Sequence, residues 1–312
     1  MLADISTTDC CQIEFVLELQ EPIDFKREMI LRLRREMARI VRGMISAGEE
    51  AGAPMMAMFD PPVSTDPYAR RLFQKPSPPF VIKAAGLPDQ FFDIGDTLSL
   101  QVLFIGDPVK HVTLFSLLLH ALGRSGLWRG EGKFDLVNMY GTDSSKNRVM
   151  LPIPSVFSDQ FATPQIGLDW LIDIPISYES GLRLEFMTPA RLMSAKKPLF
   201  KVDFATLFPF MLRRVTSMLN TWGGFELIDD AQDLIAVATQ QVDVVESGLH
   251  WEDWRTLSGG NGGLDLGGVI GKIILDRVGA DDVVRVIRLA ELFNLGKSAA
   301  YGCGQFMVAP VV

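Results

Sequence analysis

Three histidines, three cysteines and two glycine-rich stretches are the features of this 312-residue chain whose residue types and spacing bear most directly on chemistry. An imidazole titrates near neutrality, so a histidine can take and return a proton at pH 7. His111 begins a predicted helix and is expected at the surface. His120 lies within the same apolar run and reads as a partly buried, satisfied side chain. His250 stands beside Trp251 and near Arg255. His250 and His111 are therefore the candidate catalytic residues. Cys10, Cys11 and Cys303 have neither disulfide-framework nor C-x-x-C spacing, so no metal is expected and a reducing cytoplasm is.

The stretch N-L-G-K-S-A-A-Y-G-C-G-Q-F-M-V at 294–308 has a weaker copy, L-G-R-S-G-L-W-R-G-E-G-K-F-D-L-V, at 122–137. Each follows an apolar helical run and ends in a strand-like segment. That is the reverse of the strand-to-helix setting in which a glycine loop puts phosphate on a helix N-terminus, so no nucleotide cofactor is expected. Gly130, Gly132, Gly296, Gly302 and Gly304 can still bare backbone N–H groups toward phosphate oxygens. Arg124, Arg129 and Lys297 add charge, and Tyr301 offers a face for a base. The competing reading is that Gly123 and Gly296 cap helices and the following Gly-x-Gly lets the chain pack beneath them.

The elements that would position these residues alternate between two periods. Residues 12–20 alternate apolar and polar side chains as a half-buried strand does. Residues 25–44 place Met29, Leu33, Met37, Ile40 and Met44 at helical spacing and fill much of the remainder with arginine, including Arg34 and Arg35. Net charge is −8 and pI about 5.0, so nucleic acid would have to be met by a local patch such as this helix, not by a basic coat. Residues 48–96, dense in proline and glycine, read as an ordered excursion with short extended pieces. Strands follow at 97–105 and 133–140 around a helix at 108–122, which Gly123 is expected to end. Residues 143–180 read as linker. Strand 181–187, a helix from 204 to about 222 with Asp203 as N-cap, strand-like runs within 248–258 and 264–278, a helix at 281–293 and a strand at 305–311 complete the pattern.

This order predicts an α+β fold of two tandem ferredoxin-like (β-α-β-β-α-β, RRM-like) domains, 1–142 and 181–312, the second ending in the glycine-rich loop. No apolar run is long enough for a spanning helix, and the first residues lack a signal peptide's basic start and apolar core, so no membrane is expected.

Several blocks, in order, resemble the RAMP superfamily of CRISPR-associated proteins, most closely its Cas-six branch. They are D-P-Y-A-R-R-L-F with P-P-F-V-I-K, the 122–137 loop, L-R-L-E-F-M-T-P-A-R-L, D-F-A-T-L-F-P-F-M-L-R-R-V, W-E-D-W-R with L-D-L-G-G-V-I-G-K, and L-G-K-S-A-A-Y-G-C-G-Q-F. The resemblance implies a CRISPR repeat RNA ligand, no DNA contact, and cleavage of precursor crRNA without metal by 2′-hydroxyl attack. The RNA contacts expected from the basic helix, the two glycine-rich loops and the W-E-D-W-R block are Arg34, Arg35, Arg124, Arg129, Gly130, Gly132, Arg255, Gly296, Lys297, Tyr301, Gly302 and Gly304. Members commonly carry the active histidine near the first helix, and this sequence has none before His111. A subunit that binds crRNA or scaffolds other CRISPR-associated effector subunits without cutting is therefore the alternative.

Overall fold

Every second side chain of Asp9–Leu19 (β1) from Cys11 onward turns inward, with Ile13, Phe15, Leu17 and Leu19 on the core face, as the alternation requires. The computed structural model describes residues 2–63, 65, 67, 75–154, 162–172, 181–254, 267–276, 278 and 281–311. Its contacts divide the chain into Ser6–Leu168 and a second unit of Asp169–Val312 with Met1–Ile5.

In the first unit the short strand Ile23–Phe25 (β2) leads into helices Arg27–Leu31 (α1) and Leu33–Ser46 (α2), and Gly52–Phe59 (α3) follows. The single helix expected over 25–44 is broken at Arg32, which sits between α1 and α2 with ψ near zero. Strands Phe80–Lys83 (β3), Gln90–Phe92 (β4) and Thr97–Ile105 (β5) come next, then helix Pro108–Ser125 (α4), Phe134–Thr142 (β6), Arg148–Leu151 (β7) and Ile166–Gly167 (β8); helix Leu168–Ile172 (α5) starts at the last residue of this unit and otherwise belongs to the second. The main sheet runs β3-β5-β1-β6-β7, antiparallel throughout, with β8 on β1. Taking β1, β3, β5 and β6 as the four ferredoxin strands gives the order 2-3-1-4, as that fold demands. Phe115 of α4 seals the sheet, its ring 5.0–5.4 Å from those of Phe15, Phe80 and Phe104.

The second unit repeats this topology. Leu182–Ala190 (β9) is followed by a hairpin of Met193–Ser194 (β10) and Lys197–Pro198 (β11), then helices Phe204–Met218 (α6) and Ala231–Gln241 (α7). Asp243–Ser247 (β12), His250–Glu252 (β13), Gly268–Asp276 (β14), helix Asp281–Phe293 (α8) and Phe306–Pro310 (β15) complete it. The sheet order β12-β14-β9-β15, with β13 also on β14, is again 2-3-1-4. Asp203 caps α6 as expected, accepting from the Thr206 N–H at 2.8 Å. The fold is thus α+β with two ferredoxin-like units. Among the described residues no helix is long and apolar enough to cross a membrane.

Two expectations need correction. Gly123 does not end its helix. α4 continues to Ser125 and closes at Gly126, whose φ is +86° and whose N–H returns to the Leu122 carbonyl at 2.8 Å. Gly123 is needed for packing, because a Cβ there would collide with the Phe134 carbonyl oxygen. The stretch expected as linker carries β7, β8 and α5 among its described residues.

Candidate nucleic-acid interface

The arginines of α2 and the first glycine-rich loop come together in the first unit. Trp128, Arg129, Gly130 and Glu131 form a tight turn, with the Trp128 N–H on the Glu131 carbonyl at 3.1 Å and the reverse bond at 2.9 Å. Arg129 (φ +51°) and Gly130 (φ +96°) both take left-handed φ, the condition for a two-residue hairpin turn of the primed type. This turn holds Arg129 out in solvent at the tip. Beneath it, Trp128 is flanked by two guanidinium groups, that of Arg32 at 5.3 Å and that of Arg129 at 5.0 Å from the ring centre. Gly132 (φ +72°) returns the chain to β6, and a Cβ there would collide with Ile23.

Between this turn and α2 lies an open groove of about 480 Å³ lined by Arg35, Arg39, Arg42, Trp128, Arg129 and Gly130, with Glu36 as its acidic member. Glu36 is nearly buried and holds Arg39 at 3.0 Å, one turn along the helix, which orients that guanidinium toward the groove. Arg34 and Arg124 are exposed on α2 and α4 and are not among the groove's lining residues. Planar guanidinium groups around an indole can grip phosphate oxygens in bidentate fashion and stack on bases.

The second glycine-rich loop occupies the same topological place but folds differently. Its backbone is turned inward: the Leu295 N–H bonds to the Gly304 carbonyl (2.9 Å), Lys297 to Arg191 (2.9 Å) and Gly304 to Pro189 (3.0 Å). Thr188 Oγ1 donates to the Gly302 carbonyl at 2.7 Å and accepts from the Gln305 N–H at 2.8 Å. Tyr301, expected to offer a stacking face, is 3% exposed, and Gly302, Cys303 and Gly304 are buried with it. The loop must pass under the end of α8, where a Cβ on Gly304 would collide with the Leu295 carbonyl oxygen. Packing therefore claims Tyr301, Gly302 and Gly304. Lys297 is exposed and Gly296 half-exposed. Gly296, with φ +90°, lies where a Cβ would come within 2.7 Å of the Arg191 carbonyl oxygen.

The histidines separate by burial. His111 is 5% exposed rather than at the surface. Its Nδ1 meets the Ile105 carbonyl at 3.2 Å, and burial lowers its pKa to about 4. Helix α4 lies down on the sheet and carries its first turn, His111 included, into the core, so this ring cannot reach a bound RNA. His120 is half-buried, and its pKa is lowered by burial and by the neighbouring Arg124. His250 is exposed on β13. Its Nδ1 lies 3.0 Å from the Gly248 carbonyl, which can only accept, so the contact requires Nδ1–H and leaves Nε2 as the basic nitrogen. Glu252 Oε2 is 3.9 Å from that Nε2. Gly271 (φ +98°) keeps the turn close, since a Cβ there would lie 3.3 Å from the ring. Arg255 lies outside the described residues. Among the described residues no three His, Cys, Asp or Glu side chains gather in a way that could hold a metal ion.

Sequence reasoning named Arg35, Arg129 and Gly130 but missed Trp128, which joins them. The W-R-G tripeptide inside a glycine-rich loop was the available signal. It also placed Arg39 and Arg42 on the basic helix without assigning them to a site.

Comparison with known proteins agrees with this architecture. The family model described as CRISPR-associated endoribonuclease Cas6 matches residues 184–306, and a second model, described only as an N-terminal domain, matches residues 50–161. No curated protein sequence matches the chain. Among solved structures, Cas6 of Thermus thermophilus is similar with a TM-score of 0.52 at 15% identity, over 96% of this chain and 98% of that one. A partial Cas6-RT-Cas1–Cas2 complex is similar with a TM-score of 0.53 at 14% identity, over 96% of this chain and 46% of that one. At such identities these structures speak for the fold.

Proposed function

We propose that this chain, whose residues 184–306 match the family model described as CRISPR-associated endoribonuclease Cas6, binds CRISPR repeat RNA and processes precursor crRNA. The observation that carries the RNA contact is the groove in which Arg35, Arg39, Arg42 and Arg129 surround Trp128. In a chain of net charge −8, four arginines on one concave surface supply the local patch that phosphate binding needs.

The reaction needs a base to remove the proton of a 2′-hydroxyl and an acid to protonate the departing 5′-oxygen. The 2′-oxygen attacks the adjacent phosphorus, the P–O5′ bond breaks, and the ends are a 2′,3′-cyclic phosphate and a 5′-hydroxyl. His250, with Nε2 free to accept the proton, is the residue we assign as base. No metal enters this scheme, and the cytoplasm, where the transcript is made, is its setting.

A second reading is favoured by one specific observation. Two of the chain's three histidines are withdrawn, His111 into the core and His120 into a half-buried site, which suits a subunit that holds crRNA without cutting it. A cyclic phosphate end on the product separates the two. The RNA contact itself is tested by electrophoretic shift with a repeat hairpin and the variant Arg35→Glu plus Arg129→Glu. The expected loss is tenfold or more in affinity, and an unchanged affinity would remove the groove from the proposal.

A further inference from the structure

An exposed aromatic in the second unit is used by neither the arginine groove nor His250. Phe200 is 59% exposed, and its ring centre lies 4.6 Å from that of Trp251, the two planes tilted by 54°. Trp251 is itself wedged. The Arg191 guanidinium lies 5.8 Å from its ring centre, and a Cβ on Gly267 would come within 2.8 Å of its Cζ2. Successive side chains of a strand face opposite ways, so this indole turns away from the side that carries His250.

Phe200 is also fixed from its own side. The β10–β11 hairpin turns through Ala195 (φ +48°) and Lys196 (φ +64°), and the bond from the Leu199 N–H to the Leu192 carbonyl at 3.0 Å extends the pairing to the residue before Phe200. Lys196, Lys197 and Lys201 are exposed along the same short segment. The glycine-rich loop is tied to Arg191 through its backbone, the Lys297 N–H donating to the Arg191 carbonyl at 2.9 Å. The nearby carboxylates are engaged. Asp203 caps α6, and Glu252 accepts from Trp254 Nε1 at 2.8 Å.

A protein-docking surface presents a contiguous apolar patch, whereas here one ring stands among cations. That combination is the chemistry of single-stranded nucleic acid sites, where bases stack on aromatic rings and lysines track the backbone. We infer that Phe200, backed by Trp251 and Arg191, is a stacking platform for an unpaired base of single-stranded RNA, with Lys196, Lys197 and Lys201 on the flanking phosphates. The inference rests on the RNA-binding reading above and adds a site for the unpaired part of the ligand.

The test uses the full chain and a repeat RNA whose single-stranded flank carries 2-aminopurine. Stacking should quench the fluorophore on binding. Phe200→Ala should abolish the quench and weaken binding of the isolated flank about 5- to 100-fold, while Phe200→Tyr retains both. The salt dependence should stay as in the unsubstituted protein for Phe200→Ala and fall by roughly 0.7 per lost contact for Lys196→Ala plus Lys197→Ala. Unchanged quench and affinity in Phe200→Ala would overturn the platform while leaving the groove intact, and would point to a protein surface at Phe200. If the unsubstituted protein bound neither hairpin nor flank, both readings would fall.

Discussion

The same residue type means different things at different depths. His111 has the chemistry of a catalyst but sits where its charged form is excluded. An ordinary histidine has a pKa near 6.5 and this one about 4, so the unfolded chain takes up the proton first as pH falls. His111 therefore costs the fold nothing above pH 6.5 and destabilises it increasingly between 6.5 and about 4, by roughly 3 kcal/mol over the whole window. Chemical denaturation at pH 7 and pH 5 should show this loss, and His111→Asn should flatten the dependence while keeping a donor for the Ile105 carbonyl. A variant with the same slope as the original would show that other groups govern it. Glycines divide in a similar way. Gly304→Ala must both take φ near +64° and push against the Leu295 carbonyl, so it should cost about 2–4 kcal/mol. Gly130→Ala has open space for its Cβ and meets only the backbone penalty at φ +96°, about 1 kcal/mol. Denaturation midpoints of the two variants check the difference.

At the scale of elements, the two glycine-rich loops share a place between helix and strand and differ in use. The first closes in a two-residue hairpin that pushes Arg129 outward. The second spends its N–H groups on Pro189, Arg191 and Thr188 and buries its tyrosine. Sequence similarity between them reported the common topology and could not report this difference, because the partners of the second loop lie more than a hundred residues away on β9 and the residues after it. Charge reversal at Arg129 should therefore weaken repeat-RNA binding more than reversal at Arg124, which lies outside the groove, and a shift assay with each single variant measures this. Equal losses would argue for a diffuse basic surface. The structural role of α8's end is a separate matter: Arg214, buried, donates through Nη2 to the Phe293 carbonyl at 3.0 Å and closes that helix. Arg214→Ala should lower stability by about 2–3 kcal/mol, read by denaturation, with a donor and its charge both lost from a helix C-terminus.

For the whole molecule, the doubled β-α-β-β-α-β order was legible because β1, β5, β9 and the helices α2, α4, α6 and α8 each keep one apolar face, and Asp203 announces its helix by capping chemistry. Other parts were hidden for physical reasons. β3 is Phe80–Lys83, only four residues directly after Pro78 and Pro79, and its burial on nearly every position leaves no alternation to detect. β12 is exposed at every position, so it too lacks a two-residue rhythm. The groove was half legible: the arginines of α2 were visible as a basic face, but the indole that gathers Arg32 and Arg129 came from a loop about ninety residues further on. The functional reading joins these scales in one reaction. The most direct measurement is incubation of the purified protein with repeat RNA in EDTA, followed by analysis of the fragment ends. The account predicts one cut that leaves a 2′,3′-cyclic phosphate and a 5′-hydroxyl, lost in His250→Ala without loss of binding. Tight binding with no cut, or a cut that appears only when a divalent metal is restored, would contradict it.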